Sequence, residues 1–438
     1  MRRLLLVLIP SLALSQETIL LPLSEAIKMA IENSIELQIA RDKIESGEQR
    51  VYQERSQLLP KLGLELKSRY EKKEEIESYW VEAFGERVKV SAEPSPDYND
   101  DLYISLNQRL YSGGEITGKI KQAKIQKEYL EYEKELVEQE LILLITKAYW
   151  ELKRSILQTE IGSKKLGYFK KMKERAEKDL ELGCLSEAQL RDIEEKAVKA
   201  EDEFSQAEAE ERRLKERLIN LLNIEGSISY ILIDEPEIRP LETDIASAVS
   251  CALTNNIKLK EQETVSLEKK IALTLAKSTR YPQAWLSGSL DYSGKANVYR
   301  QSWDNLKKQD WNMGVNLSWT FYDGGLLKRR IKEGEIELKI AKDEYEMTKR
   351  EIVQGIKETF QRIQKAEERC QRLNKSISLA KERLETSCLQ HRMGNITEDD
   401  VEKLEIELSE AETYLMEVKI GYEIAKAELN KLIGIKGQ

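Results

Sequence analysis

The sequence predicts a mainly helical chain that also carries four amphipathic β-strands of membrane-crossing length, built twice on one plan. Three observations carry that reading. The first is a duplication, since LYSGGEITGKI at 110–120 returns 211 positions later as FYDGGLLKRRI. The second is a change of period around it: apolar residues alternate before each glycine pair and take helical spacing after it. The third is composition, with 34% charged residues and only eight prolines in 438 residues, a balance that suits long helices.

In chain order, MRRLLLVLIPSLALS has two arginines, a short apolar run and small residues at Ala13 and Ser15. It reads as a signal peptide over 1–15 rather than a spanning helix. No cysteine follows Ser15, so a lipid anchor is not suggested, and no later run reaches eighteen apolar residues. The expected mature chain leaves the cytoplasm without a helical anchor. The net charge of −9 argues against nucleic acid as a partner.

The repeat extends well beyond the glycines, and internal repeats decide architecture before local detail. At an offset of 222, Ala26, Ala30, Asn33, Ile35, Leu37 and Pro60 meet Ala248, Ala252, Asn255, Ile257, Leu259 and Pro282. At an offset of 211, Tyr111, Gly113, Gly114, Gly183 and Ile224 meet Tyr322, Gly324, Gly325, Gly394 and Ile435. The first repeat is expected over 16–224 and the second over 245–438, joined by a linker at 225–244. The offset changes within polar stretches of unequal length, about 71–99 and 293–310, which should be exposed loops.

Each half resolves into five elements. A short helix begins near Leu23 or Ile245, and a second runs from Ile35 to Leu59 or from Ile257 to Tyr281, stopped by the following proline. Strands follow at about 61–70 and 101–111, and at about 283–292 and 311–322. In the first strand Leu62, Leu64, Leu66 and Tyr70 face one way, while Lys61, Glu65, Lys67 and Arg69 face the other. In the last, Trp311, Met313, Val315, Leu317, Trp319 and Phe321 alternate with polar residues.

Helical hairpins complete the halves, at 114–222 with a tip near 183 and at 325–433 with a tip near 394. An apolar stripe through 116, 120, 123, 130, 137, 141, 144 and 148 recurs in the second copy, a spacing that packs helices side by side. The first descending helix would be about 105 Å long at 1.5 Å per residue. Ser186 with Gln189 and Thr397 with Asp400 have capping-box spacing, so a new helix starts just after each tip glycine. Asn223 and Gly434 suit the left-handed position that ends the returning helices.

An open four-stranded sheet would leave backbone groups unpaired in lipid, which a membrane does not tolerate. Three chains would supply twelve strands for one closed barrel, polar faces inward, with the helices arranged below.

At this point the chain resembles the TolC-type outer-membrane efflux proteins. The likeness rests on the signal peptide, LSEAIKMAIENSIEL at 23–37, LLP at 58–60, the two Tyr-x-Gly-Gly junctions, and the tips LGCLS (182–186) and MGNIT (393–397). The resemblance implies a homotrimer whose 12-stranded β-barrel in outer-membrane lipid continues as a long periplasmic α-helical barrel. It further implies a passive exit duct for efflux or type I secretion, partnered by a periplasmic adaptor protein and an inner-membrane transporter (RND, ABC or similar). The tips Leu182, Gly183, Leu185, Ser186, Met393, Gly394, Ile396 and Thr397 match the family's adaptor-docking positions, and they are also simple helical turns.

Asp399 and Asp400 are open to two readings. Both suit the first turn of a helix, where acids complement the dipole. Asp400 also matches an aspartate of the family's periplasmic constriction, so the pair could form an acidic ring at the entrance. Two departures stand against copying the family's gate across: its second constriction aspartate falls at Lys403, and a gate arginine falls at Ile396. Gly113, Gly114, Gly324 and Gly325 lack the lysine and spacing of a phosphate-binding loop, and read as sharp strand-to-helix junctions capped by Ser112 and Asp323.

Cys184, Cys251, Cys370 and Cys388 lack metal-ligand spacing; they could pair in an oxidising compartment or serve as small apolar helix residues. His391 has no catalytic partner suggested by sequence, and Cys388 three residues before it would offer at most a weak metal site. No enzyme activity and no cofactor are expected. The competing reading is a periplasmic structural coiled coil or an adaptor subunit without a pore; adaptors, however, normally carry one hairpin beside a lipoyl-like domain.

Overall fold

The computed structural model describes residues 18–72, 78–90, 97–224, 229–241 and 243–435. The expected signal peptide at 1–15 lies outside the described residues, as do parts of the 71–99 loop and of the 225–244 linker. The chain begins with β1 (Thr18–Leu21), α1 (Leu23–Asn33) and α2 (Ile35–Ser56). Next come β2 (Lys61–Tyr70), β3 (Tyr79–Ala83), β4 (Glu86–Val90) and β5 (Tyr98–Tyr111). Helices α3 (Glu115–Glu181) and α4 (Glu187–Leu222) complete the first half, and β6 (Ser229–Leu232) leads into the second. There α5 (Ile245–Asn255), α6 (Ile257–Ser278) and β7 (Gln283–Ala296) are followed by a short α7 (Tyr299–Asp304). The chain ends with β8 (Lys307–Ser318), α8 (Leu326–Arg392) and α9 (Glu398–Ile433).

The duplication is visible in the element bounds. α1 and α2 recur at equal length as α5 and α6, and α3 and α4 as α8 and α9. Elsewhere the bounds depart from expectation for identifiable reasons. α2 and α6 stop at Ser56 and Ser278, because the residues before each proline tighten into i→i−3 bonds such as Leu59 N–H to Ser56 O and Tyr281 N–H to Ser278 O. β5 and β7 are longer than ten residues because they pair with each other out to Tyr98 and Ala296. β8 ends at Ser318 opposite Gln283, the first residue of β7; Trp319, Phe321 and Tyr322 therefore lie beyond the strand, not in it.

Three features were not anticipated. The 71–99 loop contains the β3–β4 hairpin, closed by Phe84 and Gly85 at φ 57° and 83°, the left-handed pair that a tight hairpin turn needs. The 293–310 stretch contains α7, and β1 pairs with β6 in parallel.

The chain divides into two compact units. In the unit of residues 43–130 and 263–343, four strands form an antiparallel sheet in the order β2-β5-β7-β8. Its register aligns Leu62, Leu64 and Leu66 with Leu106, Ile104 and Leu102, which oppose Gly288, Leu290 and Tyr292; Gly288 and Leu290 in turn meet Met313 and Trp311, while Tyr292 pairs with Lys308 after a register shift. One face is therefore largely apolar, with Gln108 opposite Leu286 as an interruption, and it is most open on the edge strands, where Leu62 is 76% and Leu317 71% exposed. The other face carries Lys61, Glu65, Ser105, Ser289 and Asn312; Asn312 and Asn316 donate to Ser289 and Ser287 at 2.8 and 2.7 Å. A bulge between Arg109 and Tyr111 takes Leu110 out of the alternation.

The unit of residues 18–42, 131–262 and 344–435 is held by two apolar clusters that are copies of one another. Ala26, Ala30, Leu37, Leu141, Ile145, Leu218 and Leu222 in one correspond to Ala248, Ala252, Leu259, Ile352, Ile356, Leu429 and Ile433 in the other. On α3 the buried position is Ile145 rather than its neighbour Leu144, which stays exposed. Tyr149, fully buried, donates to the Leu21 carbonyl and to Asp234, each at 3.0 Å, and Asp234 also accepts from the Leu23 N–H at the start of α1.

Candidate functional site

The two hairpin tips are built alike. At the end of α3, Gly183 takes φ 74° while its N–H reaches Leu180 O and the Cys184 N–H reaches Asp179 O, at 2.9 and 2.8 Å. At the end of α8, Gly394 takes φ 78° with the same bonds from Gly394 to His391 O and from Asn395 to Gln390 O. This is the paired-carbonyl closure that a left-handed glycine permits. Both capping boxes form: Ser186 Oγ accepts from Gln189 N, and Thr397 Oγ1 accepts from Asp400 N at 3.2 Å.

A Cβ added at Gly183 or Gly394 would meet nothing within 4 Å. Within this chain, then, conformation and not crowding explains both glycines. Leu182 and Met393 are exposed beside them, whereas Leu185 and Ile396 are half-buried. His391 Nδ1 donates to the Ile396 carbonyl at 3.1 Å. Cys184, Cys251, Cys370 and Cys388 are all unpaired, and among the described residues no cluster of His, Cys, Asp or Glu could hold a metal ion.

Both candidate entrance acids already have partners. Asp400 closes its capping box by accepting from Thr397 N and Oγ1 at 3.1 and 2.6 Å. The Thr397 hydroxyl, then its N–H, and more weakly Lys403 hold this carboxyl below the usual range. Asp399 pairs with Arg175 of α3, which also reaches Glu398 at 3.1 Å. Lys171, one turn earlier on α3, donates to Glu402 at 2.7 Å. Burial, followed by the charges of Asp399, Glu402 and Asp400, pushes the Tyr168 hydroxyl pKa up. Arg175 and Lys171 escaped sequence reasoning because their partners lie on the other hairpin, 224 and 231 residues away.

The junctions follow the same economy of local bonds. Gly113, Gly114, Gly324 and Gly325 all take positive φ, from 61° to 91°. Ser112 Oγ accepts from Ile116 N at 3.3 Å, and Asp323 accepts from Gly325 N and Leu327 N at 3.0 and 2.8 Å.

A sheet with one largely apolar and one polar face, in a chain with two copies of a long helical hairpin, suits the class of outer-membrane channel proteins. The family model for outer membrane efflux proteins matches residues 26–224 and 248–435, and the chain belongs to that family. It is an outer-membrane channel component and not an enzyme. No curated protein matches the chain significantly. Among solved structures, it is similar to the CmeC outer membrane channel of Campylobacter jejuni, with 14% identity and a TM-score of 0.75 over 94% of this chain and 85% of that one. The outer membrane protein VceC of Vibrio cholerae gives 17% and 0.72 over 94% and 96%. The open state of the MtrE outer membrane channel of Neisseria gonorrhoeae gives 14% and 0.70 over 94% and 89%. At these identities the likeness speaks for the fold.

Proposed function

We propose that three copies of this chain close their four-stranded sheets into one 12-stranded barrel and form a passive exit duct. The duct takes substrates from a periplasmic adaptor and an inner-membrane transporter. The observation that carries this reading is the sheet, which has a largely apolar face, exposed most on its edge strands, and two unpaired edges, β2 and β8. Edges of that kind are not stable in lipid unless another copy pairs with them. The tips at Leu182–Ser186 and Met393–Thr397 serve as the adaptor contact, and Asp399 and Asp400 as the acidic entrance. Bare glycines flanked by exposed Leu182 and Met393 suit a partner that packs closely.

The test is assembly. Purified protein in detergent should have the mass of three chains and open pores in planar bilayers. Leu64→Asp together with Leu317→Asp should abolish outer-membrane insertion, since a charge in hydrocarbon costs several kcal/mol. A stable monomer, or a soluble periplasmic location, overturns the reading.

A further inference from the structure

The internal repeat predicts a contact that a single chain cannot make. Ion pairs connect the long helices in sequence. α4 meets α3 through Arg217 and Glu151 at 3.2 Å, α3 meets α9 through Lys147 and Glu428 at 2.6 Å, and α9 meets α8 through Glu428 and Arg362. Among the described residues no ion pair or hydrogen bond joins α4 to α8. Glu428 thus sits at the centre of a triad, between Lys147 on one neighbouring helix and Arg362 on the other.

The 211-residue offset carries this triad onto the other half with every charge reversed. Arg362 becomes Glu151, Glu428 becomes Arg217, and the bond between them is present as Arg217–Glu151. The third member, Lys147, becomes Glu358. That residue is exposed on α8, where it accepts only from Gln354 of its own helix, at 2.9 Å. Arg217 therefore holds one of the two carboxylates that the repeat provides for it.

We propose that Glu358 of one copy supplies the second carboxylate to Arg217 of the neighbouring copy, so that α4 and α8 form the seam between chains. This rests on the side-by-side trimer proposed above. Two further observations agree. The α3–α9 bond of Lys171 and Glu402 maps onto Glu382 of α8 and Arg191 of α4, again a complementary pair with its signs exchanged. The α1–α3 cavity lined by Leu23, Ile27 and Ile142 is walled by α9, through Lys426 and Asn430 among others. Its equivalent between α5 and α8, lined by Ile245, Val249 and Val353, is an open groove to which α9 contributes no wall. The positions on α4 that match that wall include Lys215 and Ile219, so a neighbouring α4 would cover the groove. Three mapped links are lost: Lys165 and Glu410 become Ser376 and Lys199, Arg175 with Glu398 and Asp399 becomes Thr386 with Glu187 and Ala188, and Lys431 with Glu140 becomes Asn220 with Glu351. The seam then relies on two ion pairs per interface and on the covered groove.

Site-directed cross-linking tests the proposal directly. Arg217→Cys and Glu358→Cys, in a chain whose four native cysteines are replaced by serine, are treated in detergent with a short bis-maleimide. Denaturing gels should show species of two and three chains. Lys147→Cys with Glu428→Cys, the equivalent positions within one chain, should react yet remain at one chain. A three-chain mass in solution with no inter-chain product from 217 and 358 overturns the seam and leaves the trimer standing; a one-chain mass overturns both. As a second arm, Glu358→Lys alone should raise the concentration needed for half-assembly by more than about tenfold, because like charges then face each other across the seam. Adding Arg217→Glu and Glu151→Arg, which copies the sign pattern of the observed triad, should restore assembly. Failure of the triple variant to recover, with Glu358→Lys already impaired, counts against this pairing.

Discussion

Gly434 and Gly394 both take left-handed φ, at 81° and 78°, yet their surroundings differ. A Cβ at Gly434 would lie 2.5 Å from the Asn255 carbonyl oxygen, whereas one at Gly394 would meet nothing within 4 Å. Gly394→Ala should therefore lose only about 1 kcal/mol, the strain of the backbone alone. Gly434→Ala should lose clearly more, because a backbone must move, and thermal unfolding of the two variants measures the difference. Equal losses would show that the Asn255 backbone gives way freely. The left-handed endings at 223 and 434 were legible in the sequence, since Asn and Gly favour that conformation. The crowding was not, because Asn255 approaches Gly434 only through tertiary packing. Tyr149 makes the same point: its partners Leu21 and Asp234 lie 128 and 85 residues away. Tyr149→Phe leaves Asp234 still bound to the Leu23 N–H and should remove about 1 kcal/mol of stability.

Among the elements, the capped ends of the long hairpin helices were legible to within a residue or two, because caps are local. By contrast, α2 and α6 end three residues early and α7 was not read. Both capping boxes bond at the predicted spacing of three, so Thr397→Ala should destabilise the start of α9 by about 1 kcal/mol while Thr397→Ser does not. Strand ends were read less well, since β8 stops where its partner β7 begins and not where its own alternation fades. Links between long helices were not legible at all, and they carry a pH dependence. Burial raises the Glu428 pKa, but hydrogen bonds from Lys147 and Arg362 outweigh it and hold the carboxyl below the usual glutamate range. A carboxylate depressed on folding adds stability that is full above its unfolded pKa and is lost as pH falls through the folded one. Acidification below about pH 4.5 should therefore loosen the α3–α9–α8 contacts, and Glu428→Gln should flatten that part of the stability curve. An unaltered acid limb in that variant would place the acid sensitivity elsewhere.

For the molecule as a whole, the sequence disclosed the repeat, the four strands and the tips, and so the class of protein. It did not disclose how the charges at the start of α9 are balanced. An acidic ring read from Asp399 and Asp400 alone omits Arg175 and Lys171, which bring two cations from α3 to the start of α9. Carboxylates that ring a pore favour cations, and like charges at ~4 Å interact by about 4 kcal/mol at an effective dielectric of 20. With Arg175 in place the field at Asp399 is partly cancelled, while Asp400, whose carboxyl is bonded only to Thr397 of its own capping box, keeps its charge uncancelled by a cation at hydrogen-bond distance. Reconstituted channels should therefore prefer cations modestly. Asp399→Asn with Asp400→Asn should lower that preference and weaken block by divalent cations added from the periplasmic side. Arg175→Gln should act in the opposite direction, since it removes a cation and leaves both carboxylates. Reversal potentials in planar bilayers under a salt gradient give the sign in each case. If neither variant shifts the reversal potential, Asp399 and Asp400 act only as first-turn helix residues and the pore's selectivity is set elsewhere.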